Sequence, residues 1–506
     1  RDAAVATRRA AGDAPGRGGE TRAARQREET TMRHGPAALA AILTAVGGAA
    51  HAQSAGDCTA LANMPLQGGF VTSARLVDAH DGLPDYCEVR ARALPEISIE
   101  ARLPLDWNGK YYQAGCGGFC GILGRADAGG GWVNAMRPGL ERGYATATSD
   151  SGHHGLSVVD AAWADANPHA ERDWGWRSIG ETHRVAQALI GAFYGGAQSE
   201  QAIFQGCSTG GRMAHVAALR YPEMFDGIIS GAPAMDYPGL VATAMSWFMQ
   251  ANTGPEGGQI LEPGKEGLIG DAVMAQCDGA DGAEDGVIAD PRACDVDLSV
   301  LQCEGAGGAD CLTEAELGVI EKWRQGPRTA SGEQLYPGGI PEGSEPFWGL
   351  WLTGFEDGGG ALVNAFTTNF GAYMAFAEDP GARWTPQQFD FETDPARLAR
   401  AKSVYNGDDP DISAFREAGG RMIVWHGWAD AIVTPYKTVE WHEQAAEAAG
   451  GEAALAENVA LFMVPGLDHC GILPGPGGIS ADSLDPMTPL EEWLETGTRP
   501  TSILAE

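Results

Sequence analysis

Residues 202–225 limit how this chain can fold more than any other stretch does. A short apolar run, 202–205, leads into Gly206-Cys207-Ser208-Thr209-Gly210-Gly211, and a segment with helical apolar spacing, 212–225, follows. The first reads as a buried strand, the last as a helix that ends around Tyr221-Pro222. G-x-S-x-G at such a junction folds as a sharp turn that lifts the serine off the strand end. The flanking glycines remove side chains that would collide there. The Thr209 N–H then sits at a helix N-terminus, where it can stabilise an oxyanion.

The remaining pattern supplies a frame for that turn. Segments 97–103, 111–114, 144–148, 228–230, 422–426 and 460–464 read as strands. Segment 177–194 has helical apolar spacing through Ile179, Val185, Ala186, Leu189, Ile190 and Phe193. Strands that alternate with helices imply a mostly parallel sheet with helices on both faces. Between about 235 and 418 the rhythm fails. That stretch is rich in Gly, Pro, Asp and aromatic residues and holds four of the ten cysteines. The expected organisation is an α/β-hydrolase fold whose core, 53–234 and 419–506, is interrupted by a large inserted lid domain, 235–418. A length of 506 residues with 44% apolar side chains suits one such domain.

The N-terminal residues read differently. Residues 1–31 begin with Arg1, contain no Met and are rich in Arg, Ala and Gly, so they read as an upstream or non-native extension. Met32 opens a signal peptide, 32–52, with Arg33 and His34, an apolar run over 36–50 and an Ala50-His51-Ala52 cleavage site. The apolar run is short for a membrane span. A secreted or periplasmic protein is expected. The net charge of −34 argues against nucleic acid and anionic membranes as partners. All ten cysteines follow the signal peptide, and an even number in an exported chain implies disulfides. No C-x-x-C pair suggests a thiolate metal site.

Two further loops complete a catalytic set. Strand 422–426 runs into Gly427-Trp428-Ala429-Asp430, and strand 460–464 into Pro465-Gly466-Leu467-Asp468-His469. In this fold the order is nucleophile, acid, base. Ser208 is therefore the expected nucleophile, Asp430 the acid and His469 the base. His426 and His442 are rival bases, the first reading as a packed core residue and the second as a solvated helix position. Asp468 is a rival acid, although the side chains of adjacent residues diverge. Cys207 precedes the serine and Cys470 follows the histidine. A disulfide between them would hold Ser208 and His469 close.

GCSTGG from Gly206, HGWAD ending at Asp430 and GLDHC from Gly466 to Cys470 together resemble the tannase and feruloyl esterase family, which includes mono(2-hydroxyethyl) terephthalate hydrolases. The resemblance runs from about Cys58 to Leu494. It implies a bridged Cys-Ser, Asp, His-Cys arrangement and an oxyanion hole that uses the Gly-rich loop 113–120. Thr209 would give one donor and Gly117 the second, with Gly118 the next candidate. The remaining cysteines are expected to pair as Cys277–Cys294, Cys303–Cys311, Cys58–Cys87 and Cys116–Cys120.

Within 277–294, Asp278, Asp281 and Asp285 alternate with glycines that permit tight winding, a set of hard oxygens suited to Ca²⁺. The resemblance adds the backbone carbonyls of Ala283 and Val287. The role expected for calcium is structural, since nothing in the sequence places this loop beside Ser208.

The substrates implied are small-molecule esters of aromatic acids such as ferulate and gallate, cleaved through an acyl-enzyme. Phe347, Trp348, Trp351, Phe355, Phe366, Phe370, Tyr373 and Phe376 supply lid core and part of an acyl pocket. A terephthalate monoester would favour an arginine for its free carboxylate. Segment 346–382 has no Arg or Lys, which leaves Arg324 and Arg383. A reading of another class is a non-catalytic, calcium-stabilised binding protein on the same scaffold.

Overall fold

The computed structural model describes residues 54–123, 134–305 and 307–505. The extension and signal peptide read at 1–52 lie outside the described residues. Ten strands form one mixed sheet. In chain order they are β1 (Pro65–Leu66), β2 (Gly69–Val77), β3 (Tyr86–Ala93), β4 (Ile97–Pro104) and β5 (Lys110–Ala114). There follow β6 (Ala145–Ser149), β7 (Gln201–Cys207), β8 (Gly227–Gly231), β9 (Arg421–Gly427) and β10 (Val459–Val464). Their spatial order is β1-β2-β3-β4-β6-β5-β7-β8-β9-β10. Pairings from β1 to β4, and between β4 and β6, are antiparallel. From β6 to β10 all are parallel.

The parallel half positions the site. β5 lies between β6 and β7, with Ala114 opposite Gln205. The chain leaves β5 towards one side of the sheet and returns on the other. Such a reversal opens a crevice at the carboxyl ends of the strands. The loops that follow β5 and β7 therefore meet there.

Strands β2 and β3 lie where the sequence reading placed none. One face of these strands is charged and cross-paired: Arg75 meets the buried Glu88 at 3.0 Å, and Arg90 meets the buried Glu100 of β4 at 2.6 Å. Those charges thin the apolar signal that marks a strand. Helix α1 (Ser178–Phe193) buries Ile179, Val185, Leu189 and Ile190. Helix α2 (Thr209–Arg220) begins three residues before the expected Arg212 and ends, as expected, at the Tyr221-Pro222 region. It starts directly from Ser208. It stops at Arg220 because Pro222 disfavours helical backbone at Tyr221, which adopts φ −135°, ψ 49°.

β8 and β9 are adjacent parallel partners, with Gly227 opposite Arg421, so all of 232–420 is inserted between neighbouring strands. The insert includes α3 (Met245–Ala251) and α4 (Leu362–Tyr373). Its aromatic residues mostly fill its own core. Phe347, Trp348, Phe370 and Phe376 are buried, and Trp323 meets Trp348 edge to face at 5.3 Å. Helices α5 (Tyr436–Ala449) and α6 (Met487–Thr496) complete the C-terminal part. The ten cysteines form five disulfides: Cys58–Cys87, Cys116–Cys120, Cys207–Cys470, Cys277–Cys294 and Cys303–Cys311.

Candidate active site

Ser208 sits between β7 and α2 with φ 63°, ψ −122°. Its N–H donates to the Gly231 carbonyl of β8 at 3.0 Å, which fixes the turn. The turn is tight because two glycines touch. A Cβ on Gly206 would lie 2.6 Å from the Gly210 backbone, and a Cβ on Gly210 would lie 2.8 Å from the Cys116 carbonyl. Helix α2 is anchored by Arg212, which is fully buried and donates to the carbonyls of Gly175 (2.9 Å), Tyr405 (2.8 Å) and Trp174 (3.1 Å).

The candidate acid and the candidate base come from the loops after β9 and β10. His469 Nδ1 lies 2.6 Å from Asp430 Oδ2. Asp430 Oδ1 accepts from the N–H groups of Ile432 (3.0 Å) and Val433 (2.8 Å). Burial opposes the charge on Asp430, but the neighbouring His469 and the hydrogen bonds from both histidines outweigh it and hold the carboxyl at about 2. An ionised Asp430 requires a proton on His469 Nδ1. Nε2 is then free to accept one.

His426, read from the sequence as a core residue and rival base, is fully buried behind the acid. Its Nε2 lies 3.2 Å from Asp430 Oδ2 and 2.8 Å from the Val433 carbonyl, and both partners are acceptors. Nε2 therefore carries the proton, and Nδ1 meets the Thr438 hydroxyl at 2.7 Å. His426 orients the acid, a role the sequence reading missed. The available signal was a polar ring in an otherwise apolar strand, which needs a partner when buried. His442 is largely covered on α5, not solvated, 3.8 Å from Glu452. Asp468 is buried but does not hydrogen-bond the His469 ring.

The loop after β5 supplies the opposite wall. The Cys116–Cys120 bridge closes it. Gly118 has φ 56°, and a Cβ there would lie 2.3 Å from the Val158 carbonyl. The Thr209 hydroxyl donates to the Gly118 carbonyl at 2.7 Å, tying this loop to the start of α2. Thr209 opens the helix, so its N–H has no carbonyl within the helix to bind. The Phe119 N–H goes to Val158 (2.7 Å) and the Cys120 N–H to Gly117 (2.9 Å). Among the described residues, neither the Gly117 nor the Gly118 N–H has a backbone partner.

Ser208, His469, Gly117 and Gly118 open together on a cavity of about 250 Å³. The insert walls it with Tyr237, Leu240, Met245, Trp351, Leu362 and Phe366. Trp351 meets the His469 ring edge to face at 5.4 Å. Among the described residues, no Lys, Arg, Asp or Glu lines this cavity. Arg324 is engaged by Glu342 (3.5 Å) and Glu345 (3.2 Å), and Arg383 lines a separate hollow with Phe376 and Trp384.

A serine on a strained turn, an imidazole held by a buried carboxylate and N–H groups around one apolar cavity are a set of groups chemically able to carry out acyl transfer. The profile of the family described as "Tannase and feruloyl esterase" matches residues 82–506. The chain belongs to the tannase and feruloyl esterase family. An uncharacterised esterase of Xanthomonas campestris is 33% identical, over 93% of this chain and 86% of its own length. The mono(2-hydroxyethyl) terephthalate hydrolase of Piscinibacter sakaiensis is 28% identical, over 84% of this chain and 78% of its own. A crystal structure of an esterase from Aspergillus oryzae superposes with a TM-score of 0.75 at 25% identity, covering 89% of this chain and 91% of that one.

In this esterase the aspartate-rich loop winds on itself. Asp278 Oδ1 accepts from the N–H groups of Asp285 (3.1 Å) and Gly286 (2.9 Å), Asp281 Oδ1 from Ala283 (2.9 Å) and Asp285 Oδ1 from Val287 (3.2 Å). Among the described residues, no three acidic, histidine or cysteine side chains converge as a metal cluster. Each aspartate nonetheless keeps its Oδ2 uncommitted, and the Ala283 and Val287 carbonyls accept no backbone hydrogen bond among the described residues. That donor set fits a hard cation. The loop packs on the segments that carry Asp430 and His469, while none of its residues lines the cavity at Ser208 among the described residues. Val287 reaches within 3.4 Å of a Cβ placed on Gly466, at the start of the base-bearing loop. Arg292 lies over the Trp428 ring at 4.9 Å, two residues before Asp430.

Proposed function

We propose that this esterase is exported and hydrolyses esters of aromatic acids by a serine mechanism. The observation that carries the reading is the meeting of Ser208, the His469–Asp430 pair and the Gly117 loop on one apolar cavity. Ser208 Oγ attacks the ester carbonyl while His469 Nε2 takes its proton. Thr209 and Gly117 N–H groups hold the oxyanion. The imidazolium then protonates the departing alcohol, leaving an acyl-serine. Water, deprotonated by the same ring, attacks the acyl carbon, and the carboxylic acid leaves as Ser208 recovers its proton. The insert acts as a lid that walls the cavity. Asp278, Asp281 and Asp285, with the Ala283 and Val287 carbonyls, would hold a calcium ion that neutralises and stiffens their loop. Export is supported by five disulfides and the signal peptide read at 32–52.

The lining favours an uncharged, sparsely hydroxylated acyl group. Each gallate hydroxyl buried without a partner costs about 1–3 kcal/mol, and a free carboxylate costs more. Tyr237 alone among the insert's lining residues offers a hydroxyl. A panel of methyl ferulate, methyl gallate and the terephthalate monoester tests this, with Ser208→Ala as the blank. kcat/KM for methyl ferulate should exceed the other two by about tenfold or more. Methyl gallate or the monoester as best substrate would contradict the reading.

A further inference from the structure

The triad leaves one buried charge beside it without a role. Asp468 directly precedes the base and is fully buried. Each of its carboxylate oxygens lies 3.3 Å from the Leu473 N–H, a long contact that the two share. The other donor facing it is the Trp351 indole, which comes from the insert. That indole N–H has no acceptor at full bonding geometry among the described residues. The titratable groups facing Asp468 are Asp430 and His469, with His426 behind Asp430. Asp430 has four donors around it and Asp468 has almost none of that support. Burial, followed by repulsion from Asp430, pushes the Asp468 carboxyl up to about 7. Two carboxylates thus flank one imidazole in environments that drive them apart.

We propose that Asp468 is a positioning residue that sets the acid limb of ester hydrolysis, acting through the His469 ring. When ionised, it places a second negative charge beside the imidazole and favours the imidazolium that forms as Ser208 gives up its proton. The same charge attracts the Trp351 N–H that faces it and draws the insert's aromatic wall towards the base. When protonated, it loses the first effect and keeps only a weaker, uncharged acceptor for the second. The proposal rests on the reading of His469 as base.

The linkage has a definite sign. A carboxyl whose folded value lies near 7, against about 3.9 in an unfolded chain, binds more protons in the folded state between those limits. Its contribution to stability therefore falls as pH rises from about 4 to about 7 and is constant above. The experiment measures kcat/KM on a chromogenic short ester from pH 5 to 9 for wild type, Asp468→Asn and Asp468→Ser, with Ser208→Ala as blank. Melting temperatures are read at each pH. Both Asp468 variants should move the acid limb to lower pH by about one unit, the size of effect a facing charge gives. Their plateau rate should stay within about tenfold of wild type, and their melting temperature relative to wild type should climb between pH 5 and 7. An acid limb in the same place in all three proteins overturns the role of Asp468 and leaves the triad standing. Activity that survives in Ser208→Ala overturns both.

Discussion

Ser208 holds φ 63°, ψ −122°, a backbone state that costs a non-glycine residue about 1–3 kcal/mol. The Gly231 hydrogen bond and the Gly206–Gly210 contact keep it there. This was legible in the sequence because the turn's chemistry is local to six consecutive residues. The role of His426 was not. Its contact with Asp430 depends on how 427–433 folds back, and spacing alone cannot separate a packed ring from one that orients an acid. At this scale the acid is the sharpest test. Asp430→Asn keeps the size of the side chain but can select the wrong imidazole tautomer, so kcat near pH 8 should fall by about 10⁴. Asp468→Asn should cost less than about tenfold in the same assay. A larger loss from Asp468→Asn would show that the triad acid is misassigned.

Helix α2, β5 and the loop 277–294 show where element-level reading works. Strand and helix identities around the active turn followed from apolar spacing, and Tyr221-Pro222 marked the end of α2, while its start was placed three residues late because Thr209-Gly210-Gly211 carries no apolar signal. Strands β2 and β3 escaped notice because ion pairs replace apolar residues on one face. For the loop 277–294 the sequence showed the acidic side chains but not what they pack against. Val287 against Gly466 and Arg292 over Trp428 join it to both loops that carry the triad's acid and base. Removal of calcium by a chelator should therefore lower both the melting temperature and kcat, and added Ca²⁺ should restore them. Asp281→Ala should reproduce the loss and bind less calcium in a direct metal analysis. Unchanged metal content and stability in that variant would rule out the site.

For the whole molecule, what the sequence left unread is the order of strands. Nothing local dictates that β5 lies between β6 and β7, yet that reversal brings the Gly117 loop to Ser208. The Cys207–Cys470 bridge then ties the nucleophile's strand to the base's loop across 263 positions of chain. On the chain-entropy account such a link stabilises by roughly 5 kcal/mol at most. It joins the two halves of the core on either side of the 232–420 insert. The account's central claim is a covalent intermediate on Ser208, and the most direct test is to look for it. The purified protein would be mixed with an activated cinnamoyl-type ester, quenched in acid within the first turnover, digested and mapped by mass spectrometry. The account predicts one acyl adduct, on the peptide that carries Ser208, absent from Ser208→Ala. An adduct on another residue, or full turnover with no adduct at any quench time, would contradict it.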